Sequence, residues 1–110
     1  MGSLETTEAE CAANAVAPRV TLASMEAKIK HKYVSTADSV MNGADCPPEL
    51  RILTVCILVL ENGFTLIGKS APASPDNFNK ELGAKLAYED CIRQLWPLEG
   101  YALREKLAGV

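Results

Sequence analysis

The run Arg51–Ser70, RILTVCILVLENGFTLIGKS, decides the fold. Its first half is largely apolar and β-branched, Asn62-Gly63 is the pair that type I′ hairpin turns favour, and Phe64–Ser70 returns as a second strand. With Asn62 and Gly63 as a two-residue loop, Glu61 faces Phe64, Leu60 faces Thr65, Val59 faces Leu66 and Leu58 faces Ile67. Side chains alternate, so one face collects Val55, Ile57, Val59, Phe64 and Leu66 and is expected to be the core face. The other collects Thr54, Cys56, Leu58, Leu60, Thr65, Ile67 and Lys69. It is apolar at its centre but holds Thr and Lys, so it is expected to be half wet or covered by another subunit. An isolated hairpin is not stable in water, so a third strand or a helix must cover it.

Upstream, the stretch Met41-Asn42-Gly43-Ala44-Asp45-Cys46-Pro47-Pro48 is a loop by composition, because the Pro pair blocks both helix and sheet pairing. Tyr33–Ser35 reads as a short strand. Thr21 reads as the N-cap of a short helix that carries Leu22, Met25 and Ile29 on one stripe. Lys28, Lys30, His31 and Lys32 then fall at that helix's C-terminus, where cations complement the dipole. The functional alternative is a small basic patch.

Downstream, Ser74-Pro75-Asp76-Asn77 has the chemistry of a helix start, with Ser74 as N-cap and Pro75 at the first helical position. Two apolar stripes follow: Phe78, Leu82 and Leu86, then Ala84, Ala87, Tyr88, Cys91, Ile92 and Leu95, with a changeover at Gly83. Trp96-Pro97 is expected to end this helix, and Pro97 to start a final short one over Leu98–Leu107. The order predicts an α+β fold: a short N-terminal helix, an antiparallel meander of about three strands, a long helix and a final short helix. The string αβββα also matches the double-stranded-RNA-binding fold, as topology alone.

Composition narrows the function classes. The chain has 110 residues, 48% hydrophobic and 23% charged, which suits one soluble domain over residues 20–110. Residues 1–19 hold three acids and one base and read as an acidic flexible leader, a frayed tail or a loose helix. A net charge of -3 argues against a protein that lives on phosphate backbones. The longest apolar run, Val55–Leu60, is six residues, far short of the ~18 that span a bilayer, and the start has no signal-peptide pattern, so a cytosolic protein with no membrane contact is expected.

Little points to catalysis. The four cysteines at 11, 46, 56 and 91 form no CxxC pair, and the single histidine, His31, has no ligand-spaced partner. All four read as reduced thiols, with Cys56 and Cys91 acting as small hydrophobes. No phosphate loop, nucleophile elbow or metalloprotease motif is present, and Asn62, Gly63 and Gly68 belong to hairpin chemistry. No enzyme activity, cofactor or metal is expected. Trp96 and Tyr101 are either core or interface anchors. Lys28, Lys30 and Lys32 are candidates for a partner, and Leu58 and Ile67 for a subunit contact that would make a homo-oligomer through the sheet face.

Several segments together resemble a known pattern: Thr54-Val55-Cys56-Ile57-Leu58, Glu61-Asn62-Gly63-Phe64, Gly68-Lys69-Ser70-Ala71, Ser74-Pro75-Asp76-Asn77-Phe78, Leu82-Gly83 and Trp96-Pro97-Leu98-Glu99-Gly100-Tyr101. It is that of a family of small tailed-phage proteins named after gene product forty-nine of a coliphage and gene sixty-six of a Shigella phage. The resemblance covers about residues 52–107. The loop from Asp38 to Pro48 is longer than the family pattern, and the acidic leader is the chain's own. The resemblance implies a phage or prophage accessory protein made in the bacterial cytoplasm, and it carries no catalytic residue. Small phage accessory proteins commonly act by binding. The expectation is a non-enzymatic module that inhibits or redirects a host factor, in host takeover or anti-defence. The alternatives are a nucleic-acid-binding accessory protein and a sponge for a small nucleotide signal.

Overall fold

Three antiparallel strands form one sheet in the order β1-β2-β3, with β1 Ile29–Thr36, β2 Thr54–Leu60 and β3 Thr65–Ser70. The computed structural model describes residues 3–14, 18–41 and 45–109. Two helices precede the sheet, α1 Ser3–Asn14 and α2 Leu22–Glu26, and one long helix, α3 Lys80–Leu107, follows it. The expected α+β architecture is therefore present. Of the loop expected over Met41–Pro48, residues 42–44 lie outside the described residues, as do residues 1, 2 and 15–17 of the leader.

The hairpin forms where expected, but one residue out of the predicted register. Leu58 faces Leu66, Ile57 faces Ile67 and Val59 faces Thr65. The loop holds three residues, Glu61, Asn62 and Gly63: Leu60 N donates to Phe64 O (2.8 Å) and Gly63 N donates to Leu60 O (2.9 Å). Gly63 takes φ +89°, a left-handed conformation that favours glycine, as the third residue of such loops requires. The Asn62 side chain accepts from Phe64 N. A one-residue slip turns β2 over relative to β3, so the expected core assignment is inverted on β2, while Leu66 is interior and Ile67 open as expected. Thr54, Cys56, Leu58 and Leu60 are buried together with Leu66, whereas Ile57 and Ile67 are exposed.

Glycine explains why α3 covers this face. A Cβ on Gly68 would stand 2.8 Å from both Cys91 N and Cys91 Sγ, so the missing side chain lets the helix backbone sit directly on β3. Nearer the helix start, a Cβ on Gly83 would meet the Thr54 hydroxyl at 2.6 Å. The second expected stripe of α3 supplies the core, with Ala87, Cys91, Ile92 and Leu95 packed against Cys56, Leu58 and Met25. The first stripe does not, since Leu82 and Leu86 remain exposed.

Three local expectations are corrected. Ser74 does not cap α3: Pro75–Asn77 form a single 3-10 turn, Phe78 is extended at ψ 128°, and Asn79 is the N-cap, its side chain accepting from Leu82 N. Pro97 does not divide the helix, because α3 continues through it to Leu107. Proline removes one backbone donor there, at the point where the core contacts of α3 end with Leu95 and Trp96. Ile29 belongs to β1 and not to the helix that Thr21 caps, so the basic cluster lies on or beside a strand. Thr21 does cap α2, in a capping box with Ser24.

Candidate functional site

Helix α3 covers one side of the sheet, and among the described residues nothing is packed over the other. The register places His31, Tyr33 and Ser35 of β1 beside Val59, Ile57 and Val55 of β2, and these beside Thr65, Ile67 and Lys69 of β3. The middle rung, Tyr33–Ile57–Ile67, crosses all three strands as one apolar ridge. Its members are 59%, 38% and 61% exposed. Val55 and Val59 flank it half-buried, and the His31 and Tyr33 rings lie 6.0 Å apart. Lys69 is the only charged residue of the nine apart from the titratable His31. An exposed apolar strip of this kind on a small protein marks a contact surface more often than chance.

The two edges of the sheet differ. At β3, Asp90 Oδ2 accepts from Lys69 N at 3.0 Å, and Gln94 Nε2 donates to Ile67 O at 2.8 Å. Two side chains of α3 thus satisfy outward backbone groups of that strand, one way in which proteins close an edge. At β1 the six residues Lys30–Ser35 are all exposed, and among the described residues no side chain of α3 bonds to that strand's backbone; the one such bond there is local, from the Ser35 hydroxyl to Thr36 O at 3.3 Å. The strand carries a bulge between Ile29 and His31, where Lys30 is the extra residue.

The residues singled out from sequence do not converge. Leu58 is fully buried under α3 while Ile67 is on the open face, so the two lie on opposite sides of the sheet. Lys28 pairs with Glu99 on α3. The Lys32 ammonium sits 4.2 Å from the centre of the Tyr88 ring, whose hydroxyl donates to Glu26 Oε2 at 3.0 Å. Of the three lysines, Lys30 alone has neither an ion pair nor a ring contact among the described residues. Trp96 packs half-buried against the core, and Tyr101 is 68% exposed on α3. Gly63 has the positive φ expected of the turn, whereas Gly68, expected to share in the hairpin chemistry, lies within β3 and makes room for α3 instead. Sequence reasoning missed Ile57 as a surface residue; a three-residue count for the loop, with glycine last, would have put it there.

Elsewhere the chemistry is quiet. Burial pushes the Cys91 thiol up to about 12, and burial also raises that of Cys56, whose backbone oxygen accepts from Cys91 Sγ at 3.4 Å. Burial and the bond to Glu26 raise the Tyr88 phenol as well. A cleft of about 350 Å³ opens beside the start of α3, lined by Val34, Thr36, Arg51, Thr54, Phe78 and Lys80. No group of three or more His, Cys, Asp or Glu placed to hold a metal occurs among the described residues. No described helix is long and apolar enough to cross a membrane.

No curated protein and no solved structure matches the chain. One family model does, over residues 20–107, which takes in all three strands and the whole of α3. The glycines that set this fold, Gly63, Gly68 and Gly83, and the Trp96–Tyr101 run all lie within that match, and the chain belongs to the phage protein (N4 Gp49/phage Sf6 gene 66) family.

Proposed function

We propose that this phage accessory protein is a non-enzymatic binding module that inhibits or redirects a host factor, and that it binds through the open face of its sheet. The observation that carries the reading is the Tyr33–Ile57–Ile67 rung. Three large apolar side chains aligned across a rigid sheet are costly to leave in water and offer an aromatic anchor to a partner. The family supports a phage origin, and the cytoplasm of the bacterial host is the compartment in which such a module would act. The buried thiols suit packing better than nucleophilic chemistry, because a thiol held near 12 is almost entirely protonated at neutral pH.

The test is a tagged pull-down from host lysate, with and without nuclease, using the native chain and an Ile57→Asp/Ile67→Asp variant. A stoichiometric host protein that survives nuclease and is lost with the variant supports the reading. Loss of all captured material on nuclease treatment transfers the role to nucleic-acid binding. Turnover of a nucleotide or nucleic acid, abolished by one side-chain change, overturns it.

A further inference from the structure

The open edge of β1 lies beside the open face, and the two edges of the sheet are built differently. Helix α3 closes β3 with Asp90 and Gln94, whereas β1 is exposed along Lys30–Ser35. An exposed strand edge can pair with another strand, so an edge left open beside an apolar face can act as a template. We propose that β1 receives an extended, acidic segment of a protein partner as a fourth strand. The proposal rests on the binding-module reading and names the partner's chemistry.

Two observations select the occupant. The first is charge: β1, IKHKYVST, carries Lys30 and Lys32 and no acid. Of the acids around it, Glu26 accepts from the Tyr88 hydroxyl, Glu99 pairs with Lys28 and Asp38 accepts from the Thr36 hydroxyl, while Glu61, whose amide donates to Lys28 O, lies beyond the end of β2 beside the start of β1. A second copy of the chain would bring another cationic strand with no acid to offset it. An acidic strand gains attraction instead, and within a Debye length of about 8 Å the local lysines outweigh the chain's overall negative charge.

The second observation is alternation. Lys32 faces the helix side beside Leu58, while His31 and Tyr33 face the open side beside Val59 and Ile57. A fourth strand with acids at every second residue would place them on the Lys32 side. Its intervening apolar residues would extend the Tyr33–Ile57–Ile67 rung by one strand. The bulge and lysines that keep β1 from pairing with its own kind therefore also set the partner it accepts.

The experiment uses the full chain, isotope-labelled, and the capped octapeptide Glu-Val-Glu-Thr-Glu-Val-Glu-Thr at up to millimolar concentration. Amide exchange and resonance shifts are read by NMR. Protection of alternate β1 amides by this peptide, and not by the same peptide with Lys for Glu, is the expected result. The Lys30→Glu variant, made at an exposed position, should weaken the acidic peptide about tenfold, because charge reversal replaces an attraction with a repulsion. A Lys30→Glu/Lys32→Glu chain should instead accept the lysine peptide.

No protection at β1, or shifts confined to β3 and α3, overturns the proposal. Concentration-dependent β1 protection without peptide would assign the edge to self-association and also overturn it. If a host protein is captured while β1 amides in that complex exchange freely, this inference fails and the binding-module reading stands. If the peptide pairs as described and no host protein is captured, the reverse holds.

Discussion

Gly68 of β3 and Cys91 of α3 approach so closely that a methyl group on the glycine would stand 2.8 Å from both the Cys91 amide nitrogen and its sulfur. That contact decides which face of the sheet is interior. It also leaves the opposite face uncovered.

Gly68→Ala should therefore be strongly destabilising. Overpacking a filled core typically costs about 1–3 kcal/mol, and here the obstacle is backbone, which yields less readily than side-chain ends. Thermal melting by circular dichroism should fall by roughly 5–15 °C, at ~4 °C or more per kcal/mol for a domain of this size. An unchanged melting temperature would mean that α3 does not lie on Gly68.

Neighbouring residues of β2 should respond in opposite ways to the same change. Leu58 is fully buried and Ile57 is 38% exposed. Leu58→Ala should cost about 2–5 kcal/mol, since it removes buried methyl groups and leaves a cavity. Ile57→Ala should cost under ~1 kcal/mol. Urea midpoints of the two variants check this, and reversed costs would restore the register in which Ile57 is interior.

Thiol reactivity should divide the cysteines into two pairs. Cys11 is exposed and Cys46 half-buried, while Cys56 and Cys91 are fully buried. With its pKa near 12, Cys91 is thiolate at only about one part in ten thousand at pH 8. A colorimetric thiol reagent should titrate two fast groups in the native protein and four in denaturant. Four fast groups in the native state would contradict the packing of α3 on β2.

Acid should release α1 from the start of α2. The Arg19 guanidinium bonds to the Glu8 carboxylate and holds its pKa below the ordinary carboxylate value, helped by the Leu22 amide that donates to it, with partial burial opposing. A depressed folded-state pKa means that the stabilisation is present above the unfolded carboxylate value of about 4.3 and is lost as pH falls through the folded value. The Leu22 amide resonance should titrate with a midpoint below ~4.3, and Glu8→Gln should abolish that step. A midpoint at or above 4.3 would show that the Arg19 contact does not form in solution.

Much of the architecture was legible in local sequence. The apolar runs flanking Asn62-Gly63 determined a hairpin, Thr21 determined the cap of α2, and the Ala87–Leu95 stripe determined the buried side of α3, because each depends on residues within one or two turns of chain. The nature of the candidate site was not legible. Both faces of β2 are apolar, Val55, Ile57 and Val59 on one and Cys56, Leu58 and Leu60 on the other, so alternation could not choose between them. The choice turned on one residue of loop length, and that was settled by contacts distant in sequence, Gly68 beneath Cys91 and Gly83 against Thr54. Helix α3 also runs unbroken through Pro97, where local rules end a helix. Sequence by itself thus determined which elements exist. Close backbone packing, which no short window contains, decided which face they bury and which they leave to a partner.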